Sequence, residues 1–425
     1  MTHKTLACTI LAAALSFGVA HAATTTINAG GSSLAAPTYI AEFQAYTKAN
    51  PTILFDFEGV GSGGGQKAFL NNDITQFEPP NVTSSTPVYG TIVGTQVDIG
   101  ASDAFFSSSQ LTNPPTGSYA NSSADGPVIQ IPTFGTPITI PYNESLQTAA
   151  LTLTDAQVCG VLSGKINDWH TLNTKIPAGT TIQVVFRSDS SGTTFLLTQH
   201  LNAVCTAANS TFASYPVPVT KTFASLFANS TPPVGNFTGE SGSQAVAAQM
   251  VATSGSFGYL SPDYTSIAPK SASTTTLKVA SLVNAKNGKA YTPSVANTET
   301  GLANGGAGST NAAPPSTEAA AMNPLNWVPA IPVTTSGYPI VGYTTMDLST
   351  CYASKTAGSA INAFLTAQYQ TASYKTIITN NGFAALSNTA ASPYVTAVVA
   401  DFLSNKNGYN LNINNATTCA SYPGR

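Results

Sequence analysis

Charge is what this chain has least of. Asp, Glu, Lys and Arg make up 8% of its 425 residues, where a soluble domain ordinarily carries about a quarter. Its 15 basic side chains face 18 acidic ones. That balance supplies no cationic stripe for a nucleic-acid backbone and excludes such a partner. Histidine is as scarce. Of the four, His3 and His21 fall in the leader described below, which leaves His170 and His200, each most simply a surface or packing residue. H-E-x-x-H, paired metal-ligand spacings and Gly-x-Ser-x-Gly do not occur. No metal and no cofactor is therefore expected. After residue 22 there is no apolar run long enough to span a bilayer.

What is present begins with a leader. Lys4 is a basic start, Leu6 to Val19 an apolar stretch, and Ala20-His21-Ala22 an A-x-A cleavage site. Residues 1–22 are thus predicted to be a signal peptide, and the mature protein to be periplasmic or secreted. Cys8 goes with the leader, and Cys159, Cys205, Cys351 and Cys419 remain. An even count in an exported chain predicts two disulfides. Three pairings are possible, of which the sequential one keeps each bridge local. Hydrophobic residues at 42% argue a folded chain with an uncharged polar exterior rather than a disordered one. The mature length of about 400 residues exceeds one ordinary core and predicts two lobes.

The most informative stretch is Phe186-Arg187-Ser188-Asp189-Ser190-Ser191-Gly192-Thr193-Thr194-Phe195. A β-branched run, Thr181 to Val185, precedes it, and helically spaced apolar residues follow. A strand-to-helix turn aims unpaired backbone N–H groups and the positive end of a helix at one point. Hydroxyls and a guanidinium there suit a tetrahedral oxyanion. The plainer alternative is a Ser/Gly turn with a local Arg–Asp pair. Three more junctions share this chemistry, near Ser33, Ser62 and Asp103. Their convergence points to a small ligand rich in acceptor oxygens. Pro37 suits the first turn of the helix after Ser33, with Tyr39, Phe43 and Tyr46 on its buried face. Thr154-Asp155-Ala156-Gln157 reads as a capping box. Gly239 to Ser243 opens a further helix, and Ser256 to Leu260 reads as a strand. Residues 112–127 and 304–325 read as surface loops. Gly160 to Lys165 is too short for a phosphate P-loop and is set aside. Alternating strands and helices predict an α/β fold.

Ala29-Gly30-Gly31-Ser32-Ser33-Leu34-Ala35-Ala36-Pro37, Gly59 to Gly65, Asp98-Ile99-Gly100-Ala101-Ser102-Asp103 and Arg187 to Thr193 occur in an order that resembles the periplasmic phosphate-binding receptors of ABC transporters. Lys67 to Asp73, Gly258 to Asp263 and Leu411 to Cys419 resemble the DING-type branch. The resemblance implies a two-lobed periplasmic-binding-protein fold of type II with the ligand between the lobes. It implies lobe 1 from 23–136 and 339–425, and lobe 2 from 137–338. Inorganic phosphate would be held by Ser33, Leu34 through its N–H, Ser62, Asp103, Arg187, Ser191, Gly192 and Thr193, with Asp189 bracing Arg187. Ser33-Leu34 stands where the family usually has Thr-Phe. Asp103 would favour an anion that still carries a proton; the alternative is that it caps the helix after it. A bridge between lobes would restrict closure, so Cys159–Cys205 and Cys351–Cys419 are expected. A monomeric binding protein serving an ABC permease is implied. A secreted phosphatase, or a surface protein reusing the fold, are the other readings.

Overall fold

The computed structural model of the chain describes residues 24–111, 122–269, 276–307, 309, 313–388 and 392–425. The expected leader, 1–22, and residues 112–121 of the first expected loop lie outside the described residues. Thr25–Gly31 is an interior strand of a seven-stranded sheet, in parallel register with Ile53–Glu58 on one side and Ile99–Ser102 on the other. Beyond Ile99–Ser102 come Val341–Ser349, Val128–Pro137 and Ala384–Ala385; Val88–Tyr89 closes the opposite edge. Val341–Ser349 runs antiparallel to both of its neighbours. A five-stranded sheet places Gln183–Arg187 between Ser256–Gly258 and Phe237–Glu240, all parallel, with Pro141–Asn143 and Lys278–Val279 beyond. A small third sheet joins Thr152–Leu153, Ser281–Val283 and Ala290–Tyr291. The result is a two-lobed α/β fold.

The helix Ala36–Ala49 carries Pro37 in its first turn and buries Tyr39, Phe43 and Tyr46. These rings sit against the seven-stranded sheet, with Phe43 stacked on Phe55 at 4.7 Å and in contact with Phe364 at 5.0 Å. Packing of such rings supplies large apolar area with directional preference. In the other lobe the capping box is present: Thr154 and Gln157 cap Asp155–Ser163 reciprocally, and Gly164 leaves it at φ +82°. Cys159 on that helix is bonded to Cys205 at the end of Gly192–Val204. Cys351 is bonded to Cys419 within the body built on the larger sheet.

The chain leaves the larger sheet at Pro137 and returns to it at Val341. The two crossings run side by side: the Ile138 N–H donates to the Ile340 carbonyl at 2.9 Å, and the Tyr338 hydroxyl donates to the Ile138 carbonyl at 3.0 Å.

Two expected loops differ from the sequence reading. Within 304–325, Glu318–Ala321 is a helical turn capped by Thr317, and Ala321 and Pro324 are buried. The next turn sends Trp327 into the core against Phe402, ring to ring at 4.7 Å. Near the end of 112–127, Asp125 is buried and paired with Arg425 at 2.7 Å. In both cases composition marks the backbone as irregular but does not register anchors far away in sequence. Within the interval 137–338, Leu302 occupies the space beside Gly135, and the Gln130 amide donates to the Pro324 carbonyl. Those pieces therefore lie against the larger sheet.

Candidate functional site

Five strand ends meet in one cleft. From the larger sheet, Thr25–Gly31 runs into Ser32-Ser33-Leu34 and the helix Ala36–Ala49. Ile53–Glu58 runs into the helix Ser62–Asn71, and Ile99–Ser102 ends at Asp103. From the smaller sheet, Gln183–Arg187 leads into Gly192–Val204 and Phe237–Glu240 into Ser243–Ala252. Ligands in α/β sheets lie outside the carboxyl ends of strands, where these turns are. Helix starts leave first-turn N–H groups without acceptors in their own helix; Ser62, Gly192 and Thr193 occupy such positions.

The two lobes touch across this cleft. The Ser243 N–H donates to Ser33 Oγ at 3.1 Å, and the two hydroxyls lie 3.2 Å apart. The Gly63 N–H donates to the Ser190 carbonyl at 2.9 Å. Tyr264 and Ser261 donate to the Ser33 and Leu34 carbonyls. A methyl on Gly192 would lie 2.3 Å from Ser62 Oγ and 2.6 Å from Asp103 Oδ2. Only glycine allows that approach.

Arg187 is 1% exposed. Its Nε donates to Asp189 Oδ1 at 2.6 Å, and its Nη2 to Asp189 Oδ2. Nη1 donates to Thr193 Oγ1 at 3.2 Å and to Ser243 Oγ at 3.0 Å. Asp189 also accepts from the Gly242 N–H. Burial opposes the cation, but Asp189 more than restores it and the guanidinium stays charged. Burial likewise pushes Asp189 up, and Arg187 prevails and holds it below the usual carboxylate range. The fork is thus fixed in one orientation.

Asp103 accepts from Ser32 Oγ at 2.7 Å and from Ser62 Oγ at 3.1 Å, while its own N–H donates to Ser62 Oγ at 3.0 Å. Burial raises its pKa; Ser32, Ser62 and Arg187 work in the opposite direction. It caps no helix, since the next helical turn, Ser108–Gln110, is capped by Ser107. The alternative role set against it above is therefore removed.

The structure brings Ser33, Ser62, Asp103, Arg187, Asp189, Gly192 and Thr193 together. Leu34 has its side chain wholly in the core, so only its backbone can serve the cleft. Ser191 Oγ accepts from the Thr194 N–H at 3.1 Å as the helix cap, which leaves its O–H free to donate elsewhere. Sequence reasoning omitted Ser32 and Ser243. The Gly242-Ser243 helix start was the available signal for the second. His200 lies elsewhere, between Asp155 at 3.0 Å and the Pro332 carbonyl. Among the described residues no three His, Cys, Asp or Glu side chains are grouped to hold a metal ion. No described helix is long and apolar enough to cross a membrane.

Residues 18–304 match the PBP superfamily domain. "Alkaline phosphatase L" of Pseudomonas aeruginosa strain UCBPP-PA14 is 34% identical, over 96% of this chain and 97% of its own. A "phosphate-binding protein" from an unknown prokaryotic organism is 32% identical, over 92% and 98%. Among solved structures, the high-affinity periplasmic phosphate-binding protein PfluDING, bound with phosphate, superposes with a TM-score of 0.74 at 32% identity, covering 94% of this chain and 99% of that one. A phosphate-binding protein from Stenotrophomonas maltophilia gives 0.73 at 33% identity, over 95% and 100%. With the fold and about a third of its residues shared along nearly its whole length, the chain belongs to the periplasmic-binding-protein superfamily, in its DING-type phosphate-binding branch.

Proposed function

We propose that the chain captures inorganic phosphate in the inter-lobe cleft and works as an exported binding protein, delivering it to an ABC permease. The observation that carries this reading is a buried guanidinium, oriented by Asp189 and surrounded by helix starts and hydroxyls from both lobes, with a second carboxylate, Asp103, among them. Dipoles and hydroxyls hold a dianion without excess positive charge, which agrees with a chain of net charge −3. Ser33, Ser62, Ser191, Thr193 and the N–H groups of Leu34 and Gly192 are the donors in this reading. Asp103 accepts from the P–O–H that phosphate keeps near neutral pH, and Asp189 braces Arg187.

A second reading, phosphoester hydrolysis, rests on the name carried by the relatives and on the Ser62–Asp103 contact, a hydroxyl donating to a carboxylate. Against it stands the enclosure of the cleft. Ser33, Ser62, Asp103, Arg187 and Ser243 are each at most 1% exposed, so the groups that would meet an ester are shut off from solvent where the lobes touch. Calorimetry with phosphate, alongside release of p-nitrophenol from its phosphate ester, decides between them. Tight one-to-one binding without turnover is expected. Turnover that falls with Ser62→Ala would overturn the receptor reading.

A further inference from the structure

Lys221 connects both walls of the cleft and lies outside the anion-contacting set. Through its backbone it holds the second lobe's wall: its carbonyl accepts from the Ser191 N–H at 2.9 Å, at the start of Gly192–Val204. Flanking it, Thr220 exchanges hydrogen bonds with Thr198 on the same helix. Through its side chain it reaches the other lobe, where Nζ donates to Gln66 Oε1 at 2.6 Å. Gln66 is fully buried one turn into Ser62–Asn71, the helix whose start carries Ser62, and its amide nitrogen is tied to the Ala104 carbonyl at 2.6 Å.

Beneath that helix lies Asp347, on the strand Val341–Ser349, next to Gly100. It is fully buried, and neither carboxylate oxygen has a hydrogen-bond partner. Burial pushes its pKa well above the ordinary range, and Lys221 is the cation that pulls against this. Held so, the carboxyl is a neutral acid and no buried anion calls for the cation; the tie between the lobes is the Lys221–Gln66 hydrogen bond. The cation here arrives from the opposite lobe. Separating the lobes would withdraw it.

We propose that Lys221 is an inter-lobe latch, a positioning residue for capture: on closure its ammonium docks on Gln66, stabilising the closed cleft independently of any ligand contact. The proposal rests on the phosphate reading for its kinetic consequence but not for its conformational one. A hydrogen bond from a charged donor contributes about 1.5–3 kcal/mol, so loss of the latch raises the phosphate dissociation rate roughly tenfold or more. Association, which begins from open lobes, changes little.

Stopped-flow phosphate kinetics of the full chain test this with Lys221→Met, which keeps the apolar stem, and Lys221→Arg, which keeps the cation. Lys221→Met is expected to speed dissociation and leave association within about twofold; Lys221→Arg is expected to recover most of the loss. Equal dissociation from the parent and from Lys221→Met, or a loss confined to association, would overturn the latch. Small-angle scattering of the ligand-free proteins gives a second measurement. Lys221→Met is expected to have the larger radius of gyration, and identical curves count against the proposal. A parent chain that binds no phosphate overturns the functional reading instead, and the latch then stands or falls on the scattering comparison.

Discussion

Replacing Gly192 by alanine is expected to leave the fold intact and cripple the closed state. The added methyl would stand 2.3 Å from Ser62 Oγ and 2.6 Å from Asp103 Oδ2, where ordinary contact begins at 3.4 Å. Relief requires about 1 Å of movement in a close-packed seam. Ser62 cannot simply turn away, because its Oγ is bonded both to the Asp103 N–H at 3.0 Å and to Asp103 Oδ2 at 3.1 Å. Overpacking of this kind typically costs about 1–3 kcal/mol, which converts to roughly 5- to 150-fold weaker binding. The clash arises only where the lobes meet, so it penalises closure and not folding. Gly192 begins a helix, where alanine is the better residue. The melting temperature without ligand is therefore expected to hold or rise, while the gain on adding phosphate shrinks. Calorimetric titration beside thermal melts reads both quantities. Parental affinity in Gly192→Ala would refute the reasoning, because it would mean that the bound state does not bring Gly192 against Ser62.

Arg187→Ala is expected to weaken phosphate binding by at least tenfold while the protein stays folded, since it removes the buried guanidinium and leaves Asp189 without its main partner; unchanged affinity would reduce Arg187–Asp189 to a structural ion pair. Asp103→Asn is expected to raise sulfate affinity relative to phosphate by about tenfold, because the amide can donate to an anion without a proton; competition binding checks it, and an unchanged ratio rejects that role. Burial, reinforced by the neighbouring Asp56, pushes Glu58 up to about 7, and one of its oxygens has no hydrogen-bond partner. The folded chain therefore holds this proton where the unfolded chain has lost it, and stability declines as pH rises from the ordinary glutamate value toward 7. Glu58→Gln is expected to match the parent's melting temperature near pH 4.5 and exceed it at pH 8; parallel curves would show that Glu58 is not the group responsible.

The cleft turns were legible because their chemistry is local. A β-branched run, a few Ser and Gly residues and an apolar helix period lie within about a dozen neighbours of each other, and the strand-end rule then brings such turns together. The Thr154 capping box was readable for the same reason. Ser243 was not, because its place in the site depends on Ser33, 210 residues away in sequence, and no local pattern encodes that distance. Trp327 and Arg425 were missed likewise. The first follows a Gly/Ala/Ser/Thr/Pro stretch and is secured by Phe402. The second is a lone charged residue whose guanidinium lies 4.0 Å over the Phe69 ring, donates to the Val97 and Phe69 carbonyls, and pairs with Asp125. Local composition shows where the chain turns; only tertiary pairing shows which polar groups end up inside.

The paired crossings set how the lobes can move. Ile138 and Tyr338–Ile340 form a narrow strip, joined by one backbone hydrogen bond and one from the Tyr338 hydroxyl. Such a strip flexes easily about its thin direction and resists shear within its plane, where every displacement stretches a hydrogen bond or the chain itself. A swing about that strip is the movement it opposes least. One swing delivers Ser243 to Ser33, Gly63 to Ser190 and Gly192 to Ser62 together. An anion that fits one wall but holds the other a fraction of an ångström too far back loses all three contacts at once. The hinge thereby turns a small error in ligand size into failure to shut.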